Sequence, residues 1–335
     1  MMLETLERLI APTPSVSGRE GGIRQTITEL MQPLVDEINT DALGNLICRK
    51  KGSDPTAART MLVAHMDEIG FIVTFIEENG YLRIAPIGGI SLVAAAYSEV
   101  VFENGLKGIF VPEAGQSPKD GLKCEKCYID IGASSREEAE KHVAIGDCCA
   151  VKAQITRILG TRVTGRPLDN RAGCACLAEI ARKMIAPKGD VYYVFSVQEE
   201  VGCRGARPAA FGIAPDVAIN FDVTGTGDAQ GATPMAVKLG GGAAVKIKDK
   251  SVICHQGLVD ELLAVAKKNG IAVQTEILTY GGTDTSAVQM AGTGCRAGAL
   301  SIPCRYIHSG VEMADLADME AIVSLAVAYL GGTEA

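Results

Sequence analysis

The stretch VYYVFSVQEEVG, residues 191–202, is an apolar run that stops at two adjacent glutamates. A short run with so little polarity reads as a central strand covered on both faces. Neighbouring strand residues point to opposite faces, so a continuing strand would part Glu199 from Glu200. Beyond the strand end that alternation lapses, and a turn at Val201-Gly202 can aim both side chains into one pocket. The bland reading is a solvated pair, since Glu is rarely buried unless it is paired. It weakens if other ligand-type residues end other strands in the same way.

The flanking sequence repeats the pattern of a strand followed by a helix. TMLVAH (60–65) is a second wholly apolar strand, and a β-type segment at 45–49 precedes it. A helix over 170–184 leads into the 190–197 strand, and a short helix near 204–211 leads into DVAINF (216–221). A helix over 258–268 carries Leu258, Leu262 and Val265 on one face and stops at Asn269-Gly270. The strand IAVQTEI (271–277), a helix after GGTDTS (281–286), the strand AGALSIP (297–303) and a helix over 316–330 follow. Two N-terminal helices, 3–9 and 19–30, flank the Pro- and Ser-rich APTPSVSG (11–18). The alternation predicts an α/β fold with a doubly wound, mostly parallel sheet.

From 70 to 164 the texture changes to short β-like runs and turns: FIVTFI, YLRIAPIGG, SEVVF, LKGIFVP, CYIDIG. One short helix is signalled by the capping box Ser135-x-x-Glu138. A small β-rich domain, 70–164, is therefore expected inside an α/β domain made of 1–69 and 165–335.

Composition narrows the function. The 335 residues exceed one typical domain, and 47% hydrophobic residues with 38 glycines suit an α/β protein with a large core. A net charge of −8 argues against nucleic-acid and anionic-membrane partners, and no apolar run approaches spanning length. The start MMLETLERLI is amphipathic and acidic, unlike a secretory signal, so the expected compartment is the cytoplasm. Eleven scattered cysteines are not a disulfide framework. Cys124 and Cys127 with Cys148 and Cys149 lack the second CxxC that a zinc knuckle favours, and Cys174 sits on a helical apolar stripe.

Ligand-type residues recur where strands end. The 60–65 strand runs into His65-Met66-Asp67, the 190–197 strand into Glu199-Glu200, DVAINF into Asp222, and SIPCRYI into His308. Asp169 lies in RPLDNRAG, the loop that opens a helix. Taken singly, Asp169 and Asp222 could each be helix caps. Together, two of the chain's four histidines with several carboxylates at one sheet edge form a ligand set for Zn²⁺ or a similar ion. A carboxylate shared by two ions would hold them about 3.5–4 Å apart, as in two-metal hydrolases. Asp67, two residues after His65, lies on the same strand face and could orient its imidazole.

His65-x-Asp67 with EIGF, PLDNRAG, VQEEVGCRGA, DVTGTGD, GGTDTSAVQ and SIPCRYIHSGVE, in that order over 65–312, resembles the tetrahedral metalloaminopeptidases. That family is also labelled glutamyl aminopeptidase or cellulase-M-like. The resemblance implies a zinc-peptidase-like α/β sandwich with an inserted PDZ-like domain that builds dimers, which assemble into a dodecamer. It implies two divalent ions per subunit, Zn²⁺ with Co²⁺ or Mn²⁺ as alternatives. Asp169 would bridge them, His65 and Asp222 completing one site and Glu200 and His308 the other. Glu199 would be the general base and Asp67 the partner of His65. The substrate would be a peptide with a free N-terminus. Two positions depart from the family pattern: Asn170 stands where a second Asp is common, and Thr285-Ser286 stand in a common Ala-Gly pair near the expected substrate pocket. The alternative is a metal-independent glycosidase using paired carboxylates such as Glu199 and Asp222. It needs neither histidine, and a chain with no Trp and 4% aromatics has few platforms for sugars.

Overall fold

Strand Thr60–His65 lies between two parallel neighbours, Val191–Ser196 on one side and Val217–Thr224 on the other. The latter pairs in parallel with Arg296–Arg305. This computed structural model describes residues 1–10 and 14–331, the side chain of Asp120 excepted, so positions 11–13 of the Pro- and Ser-rich linker lie outside it.

The reason TMLVAH is apolar throughout is visible in how its faces are shared. Leu62 and Ala64 pack into one core with the N-terminal helix Met2–Ile10 and the helices Leu168–Lys183 and Leu316–Tyr329. Met61 and Val63 pack into another with Val194 and the helix Ala206–Ile213. Alternate residues of a strand point to opposite faces, so covering both faces requires an unbroken apolar run. Truncating Leu62, fully buried, to Ala costs about 2–5 kcal/mol.

Among the described residues the sheet has eleven strands and is mixed, which corrects the expectation of a mostly parallel one. Its margins are antiparallel: Glu37–Thr40 and Leu46–Lys50 on one side, and Glu312–Asp315, Arg162–Arg166 and Gln154–Arg157 on the other. Ala243–Lys248 also joins Arg296–Arg305 antiparallel. Antiparallel strands can be joined by short turns and need cover on one face only, so their weaker apolar pattern escapes a search for buried runs.

Six strands, Gly70–Ile76, Leu82–Ile87, Glu99–Phe102, Lys107–Pro112, Cys127–Asp130 and Cys148–Val151, close a separate barrel. Closure leaves no unpaired edge. Its core holds Phe71, Phe102, Phe110 and Ile129, with the Phe71 and Phe110 rings stacked at 4.8 Å. The barrel ends at Val151, and the next hairpin, 154–166, belongs to the main sheet. Buried Arg166 ties the two crossings together, donating to the carbonyls of Ile69 (3.2 Å) and Val151 (3.1 Å). At Gly70 a side chain would meet the Cys149 carbonyl at 2.5 Å, so only glycine passes.

The Ser135 cap is present, its Oγ accepting from Glu138 N at 3.2 Å, but Glu138 reaches back to Ser134 N instead of Ser135. Cys127 and Cys149 are buried in the barrel core as small hydrophobes. No helix among the described residues is long and apolar enough to cross a membrane.

Candidate active site

The strands of the parallel centre end in register, with His65 opposite Ser196 and Asp222 opposite Ser301. In such sheets the crevice beyond the carboxyl ends is where ligands bind. His65 Nε2 faces Asp169 Oδ1 at 3.1 Å, Asp222 Oδ1 at 3.6 Å and Glu199 Oε2 at 4.0 Å. Its Nδ1 meets the backbone carbonyl of Asp67 at 3.2 Å and lies 3.4 Å from Asp67 Oδ1.

The Asp67 carboxylate also holds the turn that carries the two glutamates. Its Oδ1 accepts from the backbone N–H of Glu199 (3.0 Å) and its Oδ2 from that of Glu200 (3.2 Å) and from Ser17 Oγ (2.6 Å). The backbone leaves the strand at Gln198, which takes a left-handed φ of 56°, earlier than the expected turn. Gly202 and Cys203 follow at φ 116° and 52°. Left-handed conformations cost free energy for residues with a side chain, and here the grip of Asp67 holds them. Adjacent glutamates can therefore face one pocket because the strand has ended before them.

Asp169 opens the helix Leu168–Lys183 in a non-helical conformation, followed by a cis bond to Asn170. One of its oxygens faces each histidine: Oδ1 toward His65, and Oδ2 toward His308 Nε2 at 3.3 Å. Glu200 Oε2 is also 3.3 Å from His308 Nε2, whose Nδ1 meets the carbonyl of Gly89 at 2.9 Å. Asn170 explains its departure from the family pattern. Its amide donates to Phe221 O at 2.8 Å and accepts from Gly173 N at 2.9 Å, and an ionised carboxylate could not make the first bond.

Two donor groups result, His65–Asp169–Asp222 and Asp169–Glu200–His308, each with its ligand atoms within 4.8 Å of one another. Mixed imidazole and carboxylate donors suit a divalent ion of the Zn²⁺ kind. Glu200 Oε1 is buried with no hydrogen-bond partner among the described residues, which a cation would relieve. The residues therefore fit divalent metal. The four cysteines Cys124, Cys127, Cys148 and Cys149 appear in no such group among the described residues.

A cavity of about 700 Å³ opens from these donors between Thr224, Thr226, Leu278, Tyr280 and Tyr306, a size for a small ligand or chain end. The family model for M42 glutamyl aminopeptidase matches residues 44–325. The chain belongs to that family.

The M42 chain is 36% identical over 337 residues to the lysyl aminopeptidase of Pyrococcus furiosus, covering 97% of itself and 96% of that protein. Its fold matches aminopeptidase APDkam598 from the archaeon Desulfurococcus kamchatkensis at TM-score 0.94 and 34% identity, over 99% and 96% of the two chains. It matches PhTET1-12s, a dodecamer in the asymmetric unit, at TM-score 0.88 and 34% identity, over 98% of each. It is an aminopeptidase of this family, which favours the peptidase reading over the glycosidase alternative. A solved structure named endoglucanase, from Thermotoga maritima, also matches at TM-score 0.81 and 32% identity, over 96% of each chain.

Charge in the M42 site is held in balance by proximity. Burial disfavours the His65 imidazolium, but Asp222, Asp169 and Asp67 outweigh it and raise its pKa well above the usual histidine range. His308 is raised to about 11 against its burial by Asp169 and Glu200. Burial likewise works against the Asp169 anion, yet His308 and His65 hold its carboxyl below the ordinary range. Burial, then the negative charge of Asp222, Asp284 and Glu200, pushes the Glu199 carboxyl well up, with His65 opposing. A divalent cation would compete with the histidine protons for the same carboxylates.

Sequence reading missed Glu312. Fully buried, it accepts from Leu168 N (2.6 Å) and Asp169 N (3.0 Å) through Oε2 and from His308 N (3.0 Å) through Oε1. It thus fixes Asp169 and His308 together from behind. Its place four residues after His308 was the available hint.

Proposed function

We propose that this M42 aminopeptidase removes N-terminal residues from peptides by two-ion hydrolysis. His65, Asp169 and Asp222 would hold one divalent ion, Zn²⁺ or else Co²⁺ or Mn²⁺, and Asp169, Glu200 and His308 the other. The observation that carries this reading is Asp169, whose two oxygens face two histidines from different donor groups. Ions bound there supply Lewis-acid polarisation of a carbonyl and lower the pKa of a water. Glu199, beside both groups but in neither, takes a proton from the attacking water and passes it to the leaving amine. Its burial among carboxylates raises its proton affinity above the ordinary carboxylate range, the direction a general base needs. Asp67 fixes the His65 ring and the 198–203 turn, so the base and its neighbours keep one geometry.

The expected division into a dimerisation domain, 70–164, and a catalytic domain, 1–69 with 165–335, enters this proposal with the barrel strands 70–151 as the contacting body and the hairpin 154–166 assigned to the catalytic sheet. The dodecameric PhTET1-12s supports assembly of such dimers into a dodecamer. The expected compartment remains the cytoplasm.

The test is dependence on a free amine. A short unblocked peptide is expected to be trimmed from its N-terminus, and its acetylated form left intact, with products read by mass spectrometry. Efficient internal cleavage of the blocked peptide would end the exopeptidase reading.

A further inference from the structure

A third grouping lies on the far side of Glu199. Glu199, Cys203 and Asp284 each offer one ligand atom, and these atoms lie within 4.8 Å of one another. The Cys203 thiol donates to Glu199 Oε1 at 3.3 Å, while Glu199 Oε2 faces His65. Asp284, the first residue of the helix Asp284–Gln289, is fully buried. Its Oδ2 accepts from Ser196 Oγ at 2.5 Å, and its Oδ1 is buried with no hydrogen-bond partner among the described residues. An orphaned buried carboxylate oxygen is costly, and the two-ion reaction uses neither Asp284 nor Cys203.

The surroundings discriminate among the uses of this thiol. Burial first, then Glu199 and Asp284, raise the Cys203 pKa, so a free thiolate for oxidation or alkylation is disfavoured. A divalent cation removes that obstacle, because it brings the positive charge that the two carboxylates and the sulfur lack. The spacing is also suitable. A tetrahedral Zn²⁺ with bonds of about 2.3 Å to sulfur and about 2.1 Å to oxygen holds the two atoms about 3.6 Å apart. Cys203 borders the 700 Å³ cavity, so an ion can reach it from solvent.

We propose that Glu199, Cys203 and Asp284 form a third cation site, selective for a thiophilic divalent ion such as Zn²⁺ or Cd²⁺, whose filling withdraws Glu199 from proton transfer. Its inhibitory consequence rests on Glu199 being the general base. Binding forms one metal–sulfur bond and metal–oxygen bonds to the two carboxylates, and releases the thiol proton to solvent. Occupancy therefore strengthens as pH rises. Hard ions such as Mg²⁺ or Mn²⁺ gain little from the sulfur and are expected to leave the site alone.

The experiment titrates the active, metal-loaded enzyme with excess Cd²⁺ or Zn²⁺, with Mn²⁺ as control, in wild type, Cys203→Ala and Cys203→Ser. Cadmium–thiolate charge-transfer absorbance reports binding as a wild-type-minus-variant difference, and activity is scaled to each protein's own value before titration. Wild type is expected to gain one thiolate-bound equivalent and lose activity in step. Both variants should lose that band and need at least about tenfold more ion for half-inhibition, the lower end of what removing even a supporting group costs. Equal inhibition in all three proteins, or no wild-type band above the variants, would overturn the site. A band with undiminished activity would leave the cation site standing and remove both the inhibitory claim and Glu199 as the base.

Discussion

The barrel and the carboxyl edge of the main sheet are both made of strands, but they place charge in opposite ways. The barrel core is Phe71, Phe102, Phe110, Leu82 and Ile129, and its ion pairs, such as Arg83–Glu77 and Lys152–Glu99, lie outside at the surface. At the sheet edge His65, Asp67, Asp169 and Asp222 are all 8% exposed or less, and they face one another. Hydrophobic burial stabilises the first without help. The second gathers like charges in a low dielectric, which is unfavourable unless a cation completes it. A region that charges itself against its own folding is built for a ligand. The two regions meet at the site, where the Gly89 carbonyl faces His308 Nδ1 and Gly88 lies against Glu200, while the barrel keeps its own core.

The largest expected effect lies at the charged edge. Glu199→Gln should lower kcat by about 10²–10⁴-fold with metal content unchanged, because a base is lost and no ligand is. Glu200→Gln should weaken one ion and lower activity, with partial recovery in excess divalent ion by mass action. Metal loss in the Glu199 variant and retention in the Glu200 variant would exchange their roles. In the barrel, replacing 70–151 by a short linker should leave a folded α/β core in smaller particles by light scattering. An unchanged large assembly would show that the barrel does not make the subunit contacts.

The smallest effect separates an ordinary buried charge from the site. Asp318, distant in role, accepts from Gly240 N and Gly242 N at 2.7 Å each, and burial raises its carboxyl to about 6. The native state then binds the proton more tightly than the unfolded chain, so its contribution to stability is full below the unfolded value of 3.8 and is lost as pH rises through about 6. Thermal melts of Asp318→Asn should therefore gain on wild type between pH 4 and pH 7. A constant difference across that range would contradict the burial of this charge.

The parallel centre was legible because TMLVAH, VYYVFS and VAINF are buried on both faces, which writes itself into composition. So were His65, Asp169, Glu199, Glu200, Asp222 and His308, because each lies at a strand exit or in a short local pattern. Strands such as Glu37–Thr40 and Glu312–Asp315, four residues each, carry no comparable pattern; the first exists by pairing with its neighbour Leu46–Lys50, the second by pairing with Arg162–Arg166, distant in the chain. Glu312 and Asp284 were missed for a related reason. Apart from the Glu312 bond to His308 N, four residues back, their hydrogen bonds reach backbone or side chains 88 to 144 residues away, and no local spacing encodes those. Asn170 looked like a lost carboxylate until its donated bond to Phe221 O showed what an amide does there.

The central claim is that Asp169 is shared between two ions, and metal content of Asp169→Asn measures it directly. Wild type, loaded and desalted, should hold two divalent ions per chain by plasma mass spectrometry, and the variant, its bridging carboxylate replaced by an amide, should hold fewer than one. Circular dichroism verifies that the variant is folded. Two ions retained in a folded Asp169→Asn protein would contradict the account.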